Sequence, residues 1–166
     1  MKRSITIISF SIAYLIVCIF SAQAQDTIQN KKISKASIIE NQIQNKDFTF
    51  VARWVNPIRS IPRQLTDYYD LKISGDSIIT FLPYFGRAYT APLDPTNISI
   101  NLSSTVSEYT VTKRKKHEWD IVIKPKDQTD IQSFLLSVFD NGSAYLNVTS
   151  TNRDPISFNG NLEEKD

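Results

Sequence analysis

Residues 134–148 read FLLSVFDNGSAYLNV, which is two runs of alternating apolar side chains on either side of Asn141-Gly142. An Asn-Gly pair between alternating runs is the strongest short-range signal for a two-residue β-hairpin. The apolar positions of one face are Phe134, Leu136 and Val138 before the turn and Ala144, Leu146 and Val148 after it. The stretch predicts two antiparallel strands that bury one face and expose the other.

The same period of two recurs along the chain from Asp47 onward. It runs through residues 48–53, 69–74, 78–82, 98–103, 109–111, 119–124 and 156–158. The first run ends near Asn56-Pro57, because proline cannot donate to a ladder, and Gly75-Asp76 supplies a tight turn. Since no helices lie between the runs to make parallel crossovers, we expect antiparallel pairing. The predicted fold is mostly β, with about eight strands in a strongly curved sheet or a small barrel; a sandwich also fits.

Before the strands, a polar segment without glycine or proline carries Ile33, Ile38, Ile39 and Ile43 at roughly helical spacing. This spacing predicts a modest amphipathic helix near residues 32–45 at the N-terminal side of the sheet. We therefore expect a flexible leader and helix start at 25–37, followed by a single β domain at 38–162.

The first 24 residues have the three parts of a secretory signal peptide. Lys2 and Arg3 are basic, residues 5–20 are almost wholly apolar, and Ala22-Gln23-Ala24 places small residues where a signal peptidase reads them. We predict cleavage after Ala24 and export to the periplasm or the extracellular space, with possible association to the envelope. An uncleaved anchor is disfavoured, because the apolar run is shorter than the roughly 20 residues that a span needs. A lipid anchor on Cys18 is the other, less favoured alternative.

Cleavage would change the chemistry available to the protein. The mature chain would have no cysteine, and 17 basic residues would balance 17 acidic ones. A balanced charge removes the general electrostatic case for nucleic-acid binding, and the mature chain would keep no integral membrane span. Because no cysteine would remain, disulfides and thiol chemistry are also excluded.

Several blocks of residues resemble a known family. They are LPYFGRAY at 82–89 after the Gly75-Asp76 turn, WDI at 119–121, GSAYL at 142–146 and NRDPISFNG at 152–160. The chain resembles the exported Bacteroidetes proteins of domain of unknown function family 4251 over about residues 38–160. The resemblance implies export and a compact β domain. It implies no reaction, so it transfers no catalytic residues.

The residues needed for common catalytic sites are sparse. His117 is the only histidine, and four glycines at 75, 86, 142 and 160 form no phosphate-binding or dinucleotide signature. We predict no metal site and no cofactor, since a transition-metal site needs several nitrogen or sulfur ligands. A carboxylate-dependent hydrolase using acids such as Asp67, Asp70 or Asp120 is a less favoured alternative, and no catalytic residue is assigned.

The basic run at residues 113–116 has two interpretations. It could dock on an anionic surface, or it could keep a hairpin tip soluble and discourage edge pairing. With a balanced charge in the mature chain, the second interpretation is favoured.

The best candidates for ligand binding are the aromatic block Tyr84, Phe85 and Tyr89 with Arg87, joined by Arg153. Aromatic rings with a guanidinium can line an apolar site and orient the polar end of a ligand, or form the centre of an interface. The structural interpretation, which is favoured because aromatic residues on strands are most often core, is that Phe85 fills the core, Gly86 permits a bulge and Arg87 pairs with an acid.

These patterns predict an exported cell-envelope protein that binds a small amphipathic ligand or a partner through the aromatic block. The alternative is a structural or assembly factor that contacts another envelope protein. The residues favour either role over catalysis.

Overall fold

The computed structural model describes residues 35–89, 99–114, 118–126 and 130–163. A helix is seen over residues 35–44, within the predicted range, and nine strands follow it. The strands are β1 (Asp47–Pro57), β2 (Arg63–Gln64), β3 (Asp70–Ser74), β4 (Ser77–Leu82), β5 (Ile100–Arg114), β6 (Glu118–Pro125), β7 (Ile131–Phe139), β8 (Ser143–Ser150) and β9 (Ile156–Leu162). Residues Ala36–Asp166 form one compact unit. The predicted signal peptide and most of the predicted leader lie outside the described residues.

The strands form one antiparallel sheet that closes on itself. The order is β2-β1-β3-β4-β5-β6-β7-β8-β9, and β1 also pairs with β9. The short β2 lies beside the second half of β1, so the closed ring has eight strands. The predicted mostly β fold with an N-terminal helix is confirmed, and of the predicted alternatives the structure adopts the small barrel.

Closure depends on β1, which is long enough to serve two neighbours. Its first part pairs with β3 from Asp47↔Ser74 to Val51↔Asp70. Its later part pairs with β9 from Phe50↔Leu162 to Pro57↔Ile156, with a register shift between Ala52 and Trp54. A bulge bends a strand and increases its twist, which lets one strand follow the curvature of a barrel.

One strand differs from its prediction. The sequence predicted a strand near 98–103 and a separate hairpin strand from Tyr109, whereas β5 is a single strand of 15 residues. Its first part pairs with β4, and its second part pairs with β6 after a register shift between Val106 and Glu108. The irregularity interrupts the alternation of apolar residues, so a continuous strand reads as two. The tip of the β5–β6 hairpin, with His117, lies outside the described residues.

The barrel interior is filled by large apolar side chains. An eight-stranded barrel is just wide enough for side chains to fill it. The largest fully buried residues include Phe48, Phe50, Trp119, Phe134 and Phe158, and they belong to one continuous cluster. The six alternating apolar positions predicted at 134–138 and 144–148 all belong to this cluster.

The helix lies over one end of the barrel. Ile39 and Ile43 are buried in the core cluster, and the Tyr109 hydroxyl of β5 donates to the carbonyl oxygen of Ile43 at 2.8 Å. Burial raises the pKa of Tyr109 above its ordinary value. Gln42 donates to the carbonyl oxygen of Glu163 at 3.1 Å, and Lys113 pairs with Glu40 at 2.6 Å. The helix is thus tied both to β5 and to the residue after β9.

Within the described ranges, no helix combines the length and the apolar character that crossing a bilayer requires.

Candidate functional site

The predicted ligand-binding residues lie at the end of the barrel opposite the helix, where β4 and β8 end and β9 begins. After β4, the chain reaches across this end to residues 152–154, between β8 and β9. The Tyr89 amide donates to the carbonyl oxygen of Asn152 at 2.8 Å, and the Asp154 amide donates to that of Arg87 at 2.9 Å. Ala88 and Arg153 form an isolated antiparallel bridge between these hydrogen bonds. Residues 83–89 are therefore attached to the β8–β9 connection, although β4 is not a neighbour of β8 or β9 in the sheet.

Tyr84 packs inside this connection. It is only 7% exposed, and its hydroxyl lies 2.9 Å from the carbonyl oxygen of Arg87 and 3.0 Å from that of Asp154. Burial, with a smaller effect of the Asp154 charge, raises the pKa of Tyr84 to about 12. A methyl group on Gly86 would lie 2.6 Å from Cζ of Tyr84, so a glycine is needed where the chain passes the ring. Tyr84 thus holds the segment in place from beneath.

Asp154 is a buried carboxylate that connects two surface segments. Its Oδ1 accepts a hydrogen bond from the Tyr89 hydroxyl, and its Oδ2 lies 3.4 Å from Nε of Arg59. The hydrogen bond to Asp154 is the main cause that raises the pKa of Tyr89. Since Arg59 lies in the loop between β1 and β2, Asp154 fastens that loop to residues 83–89.

Arg153 is held on the inner side of the same connection. Its Nε lies 2.6 Å from Oδ2 of Asp130, and its guanidinium lies 5.3 Å from the centre of the Tyr84 ring. It borders a cleft of about 160 Å³, together with Asp130 and the first residues of β5. This volume is well below the roughly 300–1,000 Å³ of pockets for drug-sized ligands. Arg153 is thus neutralised by Asp130 beside a cleft that suits only a small group.

The remaining side chains at this end form an exposed surface. Phe85 is 38% exposed with Arg63 stacked 5.2 Å from its ring centre, and Tyr89 is 63% exposed. Ile58 and Ile61, in the loop that Arg59 fastens, are 65% and 75% exposed. We call this set the rim surface; it consists of Ile58, Arg59, Ile61, Arg63, Phe85, Arg87 and Tyr89. It combines apolar side chains with guanidinium groups on two segments joined by direct contacts.

The structure brings the five predicted residues to one end of the barrel but divides them into two groups. Phe85, Arg87 and Tyr89 are exposed on the rim surface, whereas Tyr84 and Arg153 lie beneath it. The alternative in which Phe85 fills the core is wrong, because the buried ring is that of Tyr84. Whether the five residues bind a ligand stays a prediction.

Sequence reasoning assigned no role to the loop that carries Ile58, Arg59, Ile61 and Arg63. A signal was present: two isoleucines in a short proline-containing loop are unusual, because isoleucine is among the residues most often buried. Ile58 precedes Arg59, and Ile61 lies two positions from both Arg59 and Arg63.

The other candidate groups have partners of their own. Lys113 pairs with Glu40, and Arg114 lies 2.5 Å from Asp120, which also accepts from Ser137 at 2.6 Å. The rest of the basic run lies outside the described residues. Burial, and then the charge of Glu163, raises the pKa of Asp70 above its ordinary value. Among the residues that the structure describes, no three His, Cys, Asp or Glu side chains are grouped so as to hold a metal ion.

Fold and site together define a small closed antiparallel barrel with a helix over one end and an aromatic, arginine-bearing surface at the other. The chain matches the family "Domain of unknown function (DUF4251)" over residues 30–162, and it belongs to that family. This confirms the resemblance seen in the sequence.

A solved structure shares the fold. It is a crystal structure of a DUF4251 family protein from Bacteroides eggerthii DSM 20697. The TM-score is 0.58 at 12% sequence identity, and the similarity covers 78% of this chain and 87% of that one. A comparison with curated proteins gives no match.

Proposed function

We propose that this protein is an exported cell-envelope protein that binds an amphipathic ligand or partner through the rim surface. The observation that carries the proposal is the exposure of Ile58, Ile61, Phe85 and Tyr89 among arginines, on two linked segments at one end of a well-packed barrel. Exposed apolar patches rimmed by polar groups mark interaction sites in soluble proteins. The signal-peptide pattern of residues 1–24 supports export.

The packing of the barrel favours contact across the surface over enclosure of a ligand. The interior is occupied by phenylalanine and tryptophan side chains, and the cleft beside Arg153 is small. A ligand with an acyl or aromatic part would therefore lie against the rim surface. In this arrangement Phe85, Arg87 and Tyr89 contact the ligand, while Tyr84 and Arg153 keep residues 83–89 in position.

Site-specific photo-crosslinking tests the proposal in cells that export the protein. The photoreactive amino acid benzoylphenylalanine would replace Tyr89 or Ile61 on the rim surface, and Ile79 on the outer face of β4 as a control with a similar exposed side chain. We expect adducts at the two rim positions and none at Ile79. Equal labelling at all three positions, or no adduct at the rim, would contradict the proposal.

The mass of the adduct separates the two forms of the proposal. A lipid- or sugar-sized increase indicates a small amphipathic ligand, whereas a discrete protein adduct indicates the assembly-factor alternative, which the same exposed apolar side chains support. N-terminal sequencing of the recovered protein tests export in the same sample, since cleavage after Ala24 leaves Gln25 as the first residue.

A further inference from the structure

We propose that the rim surface docks on an anionic lipid membrane surface, with Ile58 and Ile61 entering the interface and Arg63 and Arg87 pairing with lipid phosphates. This inference rests on the proposed function and names the chemical class of its partner.

The loop between β1 and β2 has the composition of an interfacial anchor. Residues 58–63 read IRSIPR, so each isoleucine stands next to an arginine or one residue from it. Both isoleucines are more than half exposed, which for a residue of this type means that apolar area is left in water. Because Arg59 is fastened to Asp154, the loop presents both side chains from a fixed base.

The neighbouring aromatic residues extend the apolar area. Phe85 lies under the guanidinium of Arg63, and Tyr89 keeps its hydroxyl on Asp154 while most of its ring is exposed. Aromatic rings with a polar end are favoured at the boundary between headgroups and acyl chains. The segment with Phe85 and Tyr89 is linked to the isoleucine loop by the Arg63–Phe85 stacking and through Asp154.

The charges of this end favour an anionic partner. Arg59 and Arg153 are matched by Asp154 and Asp130. Arg63 and Arg87 are exposed and form no ion pair with any carboxylate in the described part of the chain. A guanidinium can hold phosphate oxygens through two parallel hydrogen bonds, and each basic residue near an anionic membrane strengthens the attraction to it.

At the opposite end of the barrel, the two described members of the basic run are paired with acids. There Lys113 and Arg114 are neutralised by Glu40 and Asp120, beside the helix. Among the described residues, Arg63 and Arg87 are exposed arginines without a carboxylate partner, and both lie at the rim. The exposed apolar side chains of the rim surface thus lie beside two unpaired arginines.

Sedimentation with vesicles tests the inference with the protein as the cell processes it. Vesicles of phosphatidylcholine alone would be compared with vesicles in which about a third of the lipid is phosphatidylglycerol. We expect binding to the anionic vesicles that weakens with added salt, because two arginines contribute through screened charges. Binding to the neutral vesicles should be weaker by about tenfold or more.

Two double variants separate the apolar and the electrostatic contributions. Ile58→Ser with Ile61→Ser, and Arg63→Gln with Arg87→Gln, should each lower partitioning by about tenfold. The matched controls are Ile79→Ser and Lys72→Gln, which change an exposed isoleucine and an exposed lysine away from the rim. Thermal unfolding of each variant shows whether its fold is kept.

The inference is overturned if the anionic vesicles are not bound, or if both folded double variants bind like the unaltered protein. The proposed function survives that result if photo-crosslinking at Ile61 and Tyr89 still yields protein adducts that are missing at Ile79. If the vesicles are not bound and no rim adduct forms, both the inference and the proposed function fail.

Discussion

The side chain of Tyr84 is buried together with its hydroxyl, although the ring needs apolar contacts and the hydroxyl needs a hydrogen-bond acceptor. The ring lies beneath residues 83–89 next to the Arg153 guanidinium, and the hydroxyl lies between the carbonyl oxygens of Arg87 and Asp154. A buried hydroxyl without a partner would cost about 1–3 kcal/mol, so these two acceptors make the buried position tolerable. At the scale of single residues, Tyr84 connects its own segment to Asp154, 70 positions further along the chain.

Tyr84→Phe should lower the free energy of unfolding by about 1–2 kcal/mol near pH 7, because it leaves the two carbonyl oxygens without their donor. The pKa of Tyr84 is raised from about 10 to about 12, so the folded state holds this proton more tightly than the unfolded state. Its contribution is complete below pH 10 and is lost as the pH rises towards 12. Urea titrations at pH 8, 10 and 11 should therefore show that rising pH lowers the stability of Tyr84→Phe less than that of the unaltered protein. Tyr145→Phe, at a partly exposed tyrosine, is the control. Equal pH dependence of the Tyr84 variant and the unaltered protein would disprove the assignment.

At the scale of structural elements, the loop after β1 and the segment after β4 both contact the carboxylate of Asp154. Neither belongs to the ladder of the barrel apart from short bridges, so both depend on side-chain contacts for their position. Local structure of this kind opens more readily than a strand in the core. The Asp154 contacts thus decide how rigidly the rim surface is presented.

Asp154→Ala should loosen both segments without unfolding the barrel. Trypsin would then cut after Arg59 and Arg87 several times faster, because cleavage of a native protein follows local opening. Mass spectrometry of the early fragments identifies the sites. Glu108→Ala, which removes the exposed partner of Lys124, provides a control that should leave the cleavage pattern unchanged. Unchanged cutting after Arg59 in Asp154→Ala would show that the carboxylate does not hold the loop.

Closure of the barrel is also decided at the scale of elements, where β9 meets β1. Gly160 lies opposite Ala52, and a methyl group there would contact the carbonyl oxygen of Val51 and lie 2.9 Å from the Phe50 ring. A side chain at this position would push β9 away from β1 next to the register shift that bends β1.

Gly160→Ala should therefore destabilise the protein by about 1–3 kcal/mol through overpacking. Chemical denaturation followed by circular dichroism measures the loss. Asn159→Ala changes the preceding, exposed residue and should alter the stability by less than about 0.5 kcal/mol. A Gly160→Ala protein as stable as the unaltered chain would mean that the β1–β9 seam has more room than the structure shows.

At the scale of the whole molecule, the eight strands of the ring share a single core. Buried side chains from the helix and from each of these strands belong to the same cluster, with no separate second core among the described residues. A protein of this kind is expected to unfold in one cooperative step.

Phe158→Ala should remove about 3–5 kcal/mol of stability, because it leaves a cavity at the centre of the cluster. The loss should appear at the same denaturant concentration by circular dichroism and by tryptophan fluorescence, which reports partly on the buried Trp119. Phe85→Ala is the matched comparison: its ring is partly exposed, so its cost should be clearly smaller. Two separate transitions would contradict a single shared core.

The local pattern of the sequence was sufficient for most strands. Alternation at 134–148 with Asn141-Gly142 placed β7 and β8, but the two-residue turn predicted there is wrong. Val138 pairs with Ala144, so the turn holds three residues, 140–142, and only Gly142 adopts a positive φ. The local pattern was insufficient for β5, where the register shift near Val106 interrupts the alternation. It also left open whether the sheet closes, since the pairing of Asn56 with Ser157 joins residues about 100 positions apart.

The candidate site shows the same division. Composition alone drew attention to Tyr84, Phe85, Arg87 and Tyr89, because aromatic residues with arginine between proline and glycine are unusual. Which ring is buried was decided by the partners that β8 and β9 bring to the Tyr84 hydroxyl, and these partners are distant in sequence.

The sequence by itself determined the alternation of buried and exposed side chains, the positions of the hairpin turns and the family of the chain, because these depend on neighbouring residues. Only the tertiary structure decided that the sheet closes into a barrel and that Ile58, Ile61, Phe85 and Tyr89 share one surface. The physical reason is that the contacts responsible, β1 with β9 and Asp154 with Arg59 and Tyr89, form only when distant segments pack against a common core.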